Sequence, residues 1–360
     1  SACHFLAQQL FDDMKMLSTI LATTTSTPVD CVIVGGSYAG LSAALVLGRS
    51  LRQTIVIDEG LPCNRFAPHS QNFLTHDGSR PSEIAELGRQ QIQSKYQSVH
   101  FVSDRVASAK VTSSSSSSSS SLFQVTTQSG ETIDARSIIF ASGVKDLFPD
   151  IPGFAECWGK TIIHCPYCHG FEFQSQPTGL FMKAHVAAHM AAMVRNLTPD
   201  VTLFCEDLSG FTEEQLNLIK ANQIPIITSP ITQFHQENGQ LIGVIVEDGR
   251  EIPLKALYAH LPFELNCKDI MEGLGCTFTE QGFISVTDMQ KSTTTPGVFA
   301  CGDATTMFRS VANAVRGGNI AGAVANMELC SADFAAAAAA STGEESSTTP
   351  ATTTTTSSEK

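Results

Sequence analysis

The sequence predicts an α/β protein with two successive units of alternating strand and helix. Three observations carry this reading. A chain of 360 residues is long for one core and comfortable for two domains. The short apolar run Val29–Val34 passes through a glycine-rich turn into an Ala/Leu-rich helical pattern from Leu41 to about Arg49. From Ile151 the alternation of strand-like and helix-like segments begins again.

Residues 1–28 read as a leader, amphipathic or disordered, ahead of the first strand. Asp12 and Asp13 precede a short apolar stretch, Met16–Ala22, which makes a poor secretory signal. Thr54–Asp58 reads as the second strand of a βαβ unit. Arg105–Thr112 and Leu122–Thr127 flank a polyserine run, 113–121, which cannot bury a core and is expected at a solvated hairpin tip. Ser137–Ala141 reads as a further strand, ending at Ser142-Gly143. In the second unit, strands are expected near Leu180–Lys183 and Val201–Cys205, with helices near Ala187–Asn196 and Glu213–Asn222. A hairpin of Ile231–Phe234 and Leu241–Val246 should turn at Asn238-Gly239. Residues 334–360, an alanine run followed by Thr and Ser, read as a low-complexity tail outside the fold.

Composition narrows the class. With 42% hydrophobic and 16% charged residues the chain reads as a soluble globular protein, expected in the cytoplasm. No apolar run approaches the roughly 18 residues of a membrane span. A formal net charge of -13 argues against nucleic acid as a partner, because neutralising phosphates requires clustered Lys and Arg. The 11 cysteines are odd in number and irregularly spaced, a poor disulfide framework. Most of them, such as Cys31, Cys205 and Cys301, read as small buried apolar residues.

Two motifs carry chemistry. Val34-Gly35-Gly36-Ser37-Tyr38-Ala39-Gly40 lies between a strand and a helix, the setting of a dinucleotide-binding turn: tight geometry, close backbone approach to a pyrophosphate, and a helix N-terminus facing the anion. Asp58, at the end of the second strand, stands where an acidic residue would hold a ribose hydroxyl. Ser37 replaces the usual second glycine; it is small, and its hydroxyl can donate to phosphate. The other motif is Cys165-Pro166-Tyr167-Cys168. A CxxC pair brings two sulfurs within reach of a reversible disulfide, and His164 and His169 flank it as acid/base groups. A structural zinc site needs four ligands, and no second CxxC is present, so no metal is expected.

Taken together, these features resemble the low-molecular-weight thioredoxin reductases, from about Val29 to Met327. Asp58-Glu59-Gly60, Ala141-Ser142-Gly143 and Pro296-Gly297-Val298-Phe299-Ala300-Cys301-Gly302-Asp303 extend the match. The resemblance implies two Rossmann-like (FAD/NAD(P)-binding-type) domains and FAD as cofactor. The FAD domain would be split, 29–150 and 261–333, around an inserted NADPH-like domain, 151–260, that carries the CxxC. It also implies a homodimer. On this resemblance Gly35, Gly36, Ser37, Tyr38, Gly40, Asp58, Glu59, Ala141 and Gly302 contact FAD. Asp303 would hold the ribityl hydroxyls, and the backbone of Ser310 and Val311 the pyrimidine edge.

The chain departs from the reductases in two places. His169 follows the second cysteine, where an Asp commonly serves as acid/base; imidazole can do that work nearer neutral pH. In the central domain the turn for NADPH reads Met182-Lys183-Ala184-His185-Val186-Ala187, without glycine, and Glu206-Asp207 follow the next strand, where a phosphate would be repelled. This combination resembles the fungal dithiol oxidases of gliotoxin-type pathways, which close a disulfide in a small secondary metabolite and pass the electrons to oxygen. Leu61-Pro62-Cys63-Asn64-Arg65 and His69 look like that group's flavin-side loop, placing Arg65 and His69 near FAD. The resemblance implies a small-molecule dithiol as substrate and hydrogen peroxide as by-product. Two alternatives stay open: an NADPH-dependent thioredoxin reductase with a degenerate nucleotide site, and a flavin-containing redox sensor without turnover.

Overall fold

The computed structural model describes residues 27–112 and 122–344. Most of the expected leader, the polyserine run and the last part of the tail lie outside the described residues.

Two parallel five-stranded sheets organise the chain. In the first, the order is Val298–Ala300, Ile138–Phe140, Cys31–Val34, Thr54–Asp58 and Val99–Ser103, every pair parallel. Strands Cys31–Val34, Ile138–Phe140 and Val298–Ala300 are buried along their whole length rather than alternately, as expected when both faces of a parallel sheet are covered. One edge strand, Val298–Ala300, comes from the far side of the second unit, so the first unit is closed by chain that follows the insertion. In the second sheet the order is Ile226–Ile227, Val201–Phe204, Thr178–Phe181, Ala256–Ala259 and Ile162–Ile163, again all parallel. The fold is thus α/β with two Rossmann-like units, the second inserted into the first. A short antiparallel ribbon, Val144–Asp146 with Phe263–Leu265, carries the chain out of the first unit and back.

The hairpin of Ile231–Glu237 and Gln240–Val246 turns at Asn238 and Gly239, whose φ values of 54° and 79° are those of a primed two-residue turn. Helix Tyr38–Arg49 packs on the C-terminal helix Val311–Glu344 through small residues. A Cβ on Gly318 would stand 2.0 Å from the Ala39 carbonyl oxygen, and one on Gly322 2.8 Å from that of Ala43. Ser42 Oγ donates to Val315 O at 2.8 Å across the same seam. Cys31, Cys205 and Cys301 are buried.

Two boundaries differ from the sequence reading. The ordered chain does not stop at 333: the C-terminal helix runs on to Glu344 with its alanine stretch exposed. Alanine is the strongest helix former and extends a helix without needing a packed face. In the central unit the strand expected at Leu180–Lys183 is Thr178–Phe181 and its helix begins at Ala184, both earlier than expected. With no glycine in the turn, strand passes directly into helix through Met182 and Lys183. No described helix is long and apolar enough to cross a membrane.

Candidate active site

The first turn is built for close approach. Gly35 has φ of +102°, and a Cβ there would meet the Ala141 carbonyl oxygen at 2.5 Å. On Gly36 it would meet Asp58 Cβ at 2.8 Å, and on Gly40 the Gly35 oxygen at 1.9 Å. Glycine at these positions lets strand, turn and crossover converge on one line. Ser37 is the N-cap of helix Tyr38–Arg49, yet its hydroxyl makes no capping bond. The Tyr38 hydroxyl donates to Pro81 O at 3.1 Å and accepts from Asn64 Nδ2 at 3.2 Å, tying the loop after the second strand to the helix.

Two cavities flank this turn. One, of about 250 Å³, is lined by Gly35, Gly36, Ser37, Asp58, Glu59 and Ala141, with Arg89 and Arg105 opposite. Arg89 pairs with Asp58 at 3.2 Å and Arg105 with Glu59 at 3.9 Å. The other, of about 170 Å³, runs from Ser37 and Tyr38 past Asp303, Ser310 and Val311 to His164, Cys168 and His169. Ser310 caps the C-terminal helix, its Oγ accepting from Asn313 N at 3.1 Å. His69 lines this second cavity, its Nδ1 3.0 Å from Gly78 O. Arg65 does not: its guanidinium lies 4.3 Å over the Phe66 ring, donates to Pro62 O at 2.9 Å, and lines an adjoining hollow instead.

Cys165 and Cys168 form a disulfide. The helix Pro166–His169 is a single turn with Cys165 as N-cap and Pro166 at its first position, where the missing N–H costs nothing. Cys168 lines this second cavity and Cys165 does not. His164 lines the cavity and remains exposed. The protein packed around its ring, with the Arg309 charge nearby, pushes its pKa down to about 4. Trp158 stacks on it at 6.0 Å. Burial also lowers the pKa of His169, against the pull of Glu172. Neither ring nitrogen of His169 has a hydrogen-bond partner among the described residues.

The sequence reading missed a buried charge cluster. Arg309 grips Asp146 with two bonds, 2.6 and 3.1 Å, and lies 3.4 Å from Asp303. Burial opposes the Arg309 charge, but Asp146 and Asp303 more than offset this and raise its pKa. Burial raises the pKa of Asp303. Cys63 Sγ donates to Asp303 at 3.3 Å, and burial pushes that thiol up to about 12. Asp146 sits on the outgoing strand of the linking ribbon, so the cluster ties the inter-unit connection to the cavity. Packing does the same: a Cβ on Gly159 would meet Phe66 at 2.8 Å, and Phe148 lies 5.9 Å from Phe66 and 5.5 Å from Trp158. Gln71 reaches across to Glu172 at 2.9 Å. The only hint in the sequence was position: Cys63 lies inside the flavin-side loop, and Arg309 immediately precedes Ser310.

FAD fits these residues. The glycine cradle, which any Cβ would fill, borders one cavity, and the buried Asp303 carboxylate with the unpartnered His169 imidazole borders the other. A disulfide set against such a cradle, at the seam of two Rossmann-like units, defines a flavin-linked disulfide oxidoreductase. The chain belongs to the pyridine nucleotide-disulphide oxidoreductase family, whose model matches residues 29–318. It is 32% identical over 321 residues to thioredoxin reductase sirT of Leptosphaeria maculans, covering 85% of this chain and 96% of that relative. It is 30% identical to thioredoxin reductase tcpT of Claviceps purpurea, covering 85% and 96%. The solved structure of HlmI superposes with a TM-score of 0.82 at 29% identity, covering 89% of this chain and 98% of that one. The protein is therefore an FAD-binding, thioredoxin reductase-like oxidoreductase.

Proposed function

We propose that the protein is an FAD-dependent dithiol oxidase that closes a disulfide in a small secondary-metabolite dithiol, with oxygen as the final acceptor. The observation that carries this reading is the glycine-free turn of the central unit: Lys183 enters helix Ala184–Arg195 directly, and Glu206 and Asp207 follow the neighbouring strand. Without a cradle for NADPH, electrons must come from thiols. Likeness to the fungal relatives named above supports a thioredoxin reductase-like redox role.

On this reading Gly35, Gly36, Ser37, Tyr38, Gly40, Asp58, Glu59 and Ala141 hold the dinucleotide part of FAD. Gly302, Asp303, Ser310, Val311 and His69 hold the flavin part, and Arg65 only steadies the loop. A substrate thiolate attacks Cys165 Sγ, because Cys168 lines the cavity, and a mixed disulfide forms as the Cys165–Cys168 bond breaks. His164, neutral above about pH 4, and His169 take the proton from the attacking thiol. The substrate's second thiol then attacks its own mixed-disulfide sulfur. The product leaves as a disulfide, with both enzyme cysteines reduced. FAD supplies the two-electron acceptor that reoxidises the pair and a route to dioxygen, which becomes hydrogen peroxide. The Arg309–Asp146 pair holds the disulfide-facing arrangement, so one domain orientation suffices. The protein would act in the cytoplasm as a homodimer, which analytical ultracentrifugation tests.

The decisive experiment is anaerobic. NADPH added to the yellow protein should leave the flavin absorption unchanged, dithiothreitol should bleach it, and air should restore it with release of peroxide. Prompt bleaching by NADPH would instead make the protein a reductase with a disguised nucleotide site.

A further inference from the structure

The central unit carries a larger cavity that this reaction does not use. It holds about 630 Å³, inside the roughly 300–1,000 Å³ range of small-molecule sites. It opens at the carboxyl ends of three adjacent parallel strands, Val201–Phe204, Thr178–Phe181 and Ala256–Ala259, in that spatial order. The residues that follow each strand line it, and they sort charge across the crevice. Glu206 and Asp207 follow the first strand, Lys183 and His185 the second, and His260 the third.

The two signs do not neutralise each other. Among the described residues no ion pair or side-chain hydrogen bond is made by Lys183, His185, His260 or Glu206; His185 and His260 meet only edge to face, at 6.3 Å. Burial lowers the pKa of His260, and the neighbouring His185 and Lys183 lower it further, so three basic groups face one another without an anion. Between the charged sides the wall is apolar, with Phe148, Phe181 and Phe204. A pyrophosphate is a poor occupant, since the turn has no glycine and the acids stand at its edge. A molecule with a cationic end, an apolar middle and an anionic end matches each side. Neighbouring strands lie about 4.8 Å apart, which separates the acidic from the far basic side by roughly 10 Å. An extended peptide advances about 3.4 Å per residue, so about three residues span that distance.

We propose that this cavity binds a short zwitterionic peptide, its ammonium on Glu206 and Asp207, its carboxylate on Lys183, His185 and His260, and an apolar side chain against Phe181 and Phe204. This binding is independent of the oxidase reaction and is measured without turnover.

The test is calorimetric titration of the flavin-loaded protein with Ala-Phe-Ala, its N-acetylated form and its C-amidated form. The free tripeptide should bind, and each capped form should bind more weakly, by roughly 1.5- to fivefold, the range for losing one exposed ion pair. The double variant Lys183→Ala/His260→Gln should erase the penalty of amidation and keep that of acetylation; Glu206→Gln/Asp207→Asn should do the reverse. All four substituted side chains are exposed, so these variants leave the core untouched. Equal affinity for all three peptides, no heat at millimolar concentration, or displacement of the peptide by NADPH would each overturn the proposal.

Discussion

The two Rossmann-like units place a strand–turn–helix at the same point and use it differently. In the first, Gly35, Gly36 and Gly40 remove every side chain from the line between strand, crossover and helix, and Asp58 closes against Gly36. In the second, Met182, Lys183 and Ala187 fill the same positions, Met182, Ala184 and Ala187 are buried, and two carboxylates follow the next strand. The topology is retained while the glycines are not. On the proposed reading the fold tolerates loss of a nucleotide site, because that site depends on three backbone positions rather than on the sheet.

The comparison can be broken most forcefully at Gly40. Gly40→Val places a side chain against an oxygen only 1.9 Å from the Cβ, and the purified protein should contain no flavin, read as the ratio of visible to ultraviolet absorbance. Retained flavin would mean that the turn is not the cradle. Next in size, Cys168→Ser should abolish turnover, and incubation with a small-molecule disulfide should leave a mixed disulfide on Cys165, whose thiolate displaces one of its sulfurs, visible as a mass increase on that residue's peptide. An adduct on neither or on other cysteines would remove the assigned order of attack. His164→Gln should reduce turnover about a hundredfold, the lower end for a lost acid/base group. The sign of its pH dependence follows from its depressed pKa: the base is neutral and active above about pH 4 and is lost as pH falls through that value. The wild-type rate should thus hold down to about pH 5 and drop near pH 4, a limb missing in the variant. The smallest effect belongs to the second unit. Ala187→Gly, the position matching Gly40, should cost about 1 kcal/mol of stability, as glycine inside a helix does, with flavin content unchanged in thermal and absorbance scans.

The sequence made the first turn legible because its function depends on residues consecutive in the chain, and glycine marks backbone demands directly. The CxxC was legible for the same reason, and the empty second turn by absence of that mark. Asp146 and Arg309 were not, since they meet only after the chain has passed through the whole inserted unit. Nothing in their local sequence distinguishes a buried ion pair from two solvated charges. Arg65 lies over Phe66 and lines a hollow beside Ser37, Tyr38 and His69, a contact that spacing does not reveal. The reach of the C-terminal helix was obscured by composition: an alanine run reads as low complexity even where it simply continues a helix.

The order of strands in the first sheet also fixes an order in time. The central unit is complete once Ala259 has been synthesised, and all its strands lie between Ile162 and that point. The flavin unit must wait for Val298–Ala300 to cover strand Ile138–Phe140, and for the C-terminal helix to seat Gly318 on Ala39. On the ribosome the inserted unit can fold first, while the older, amino-terminal strands stay open at one edge. Cofactor loading then follows synthesis of Val298–Ala300 and of that helix, and until then the open edge is the surface most exposed to aggregation or to chaperones.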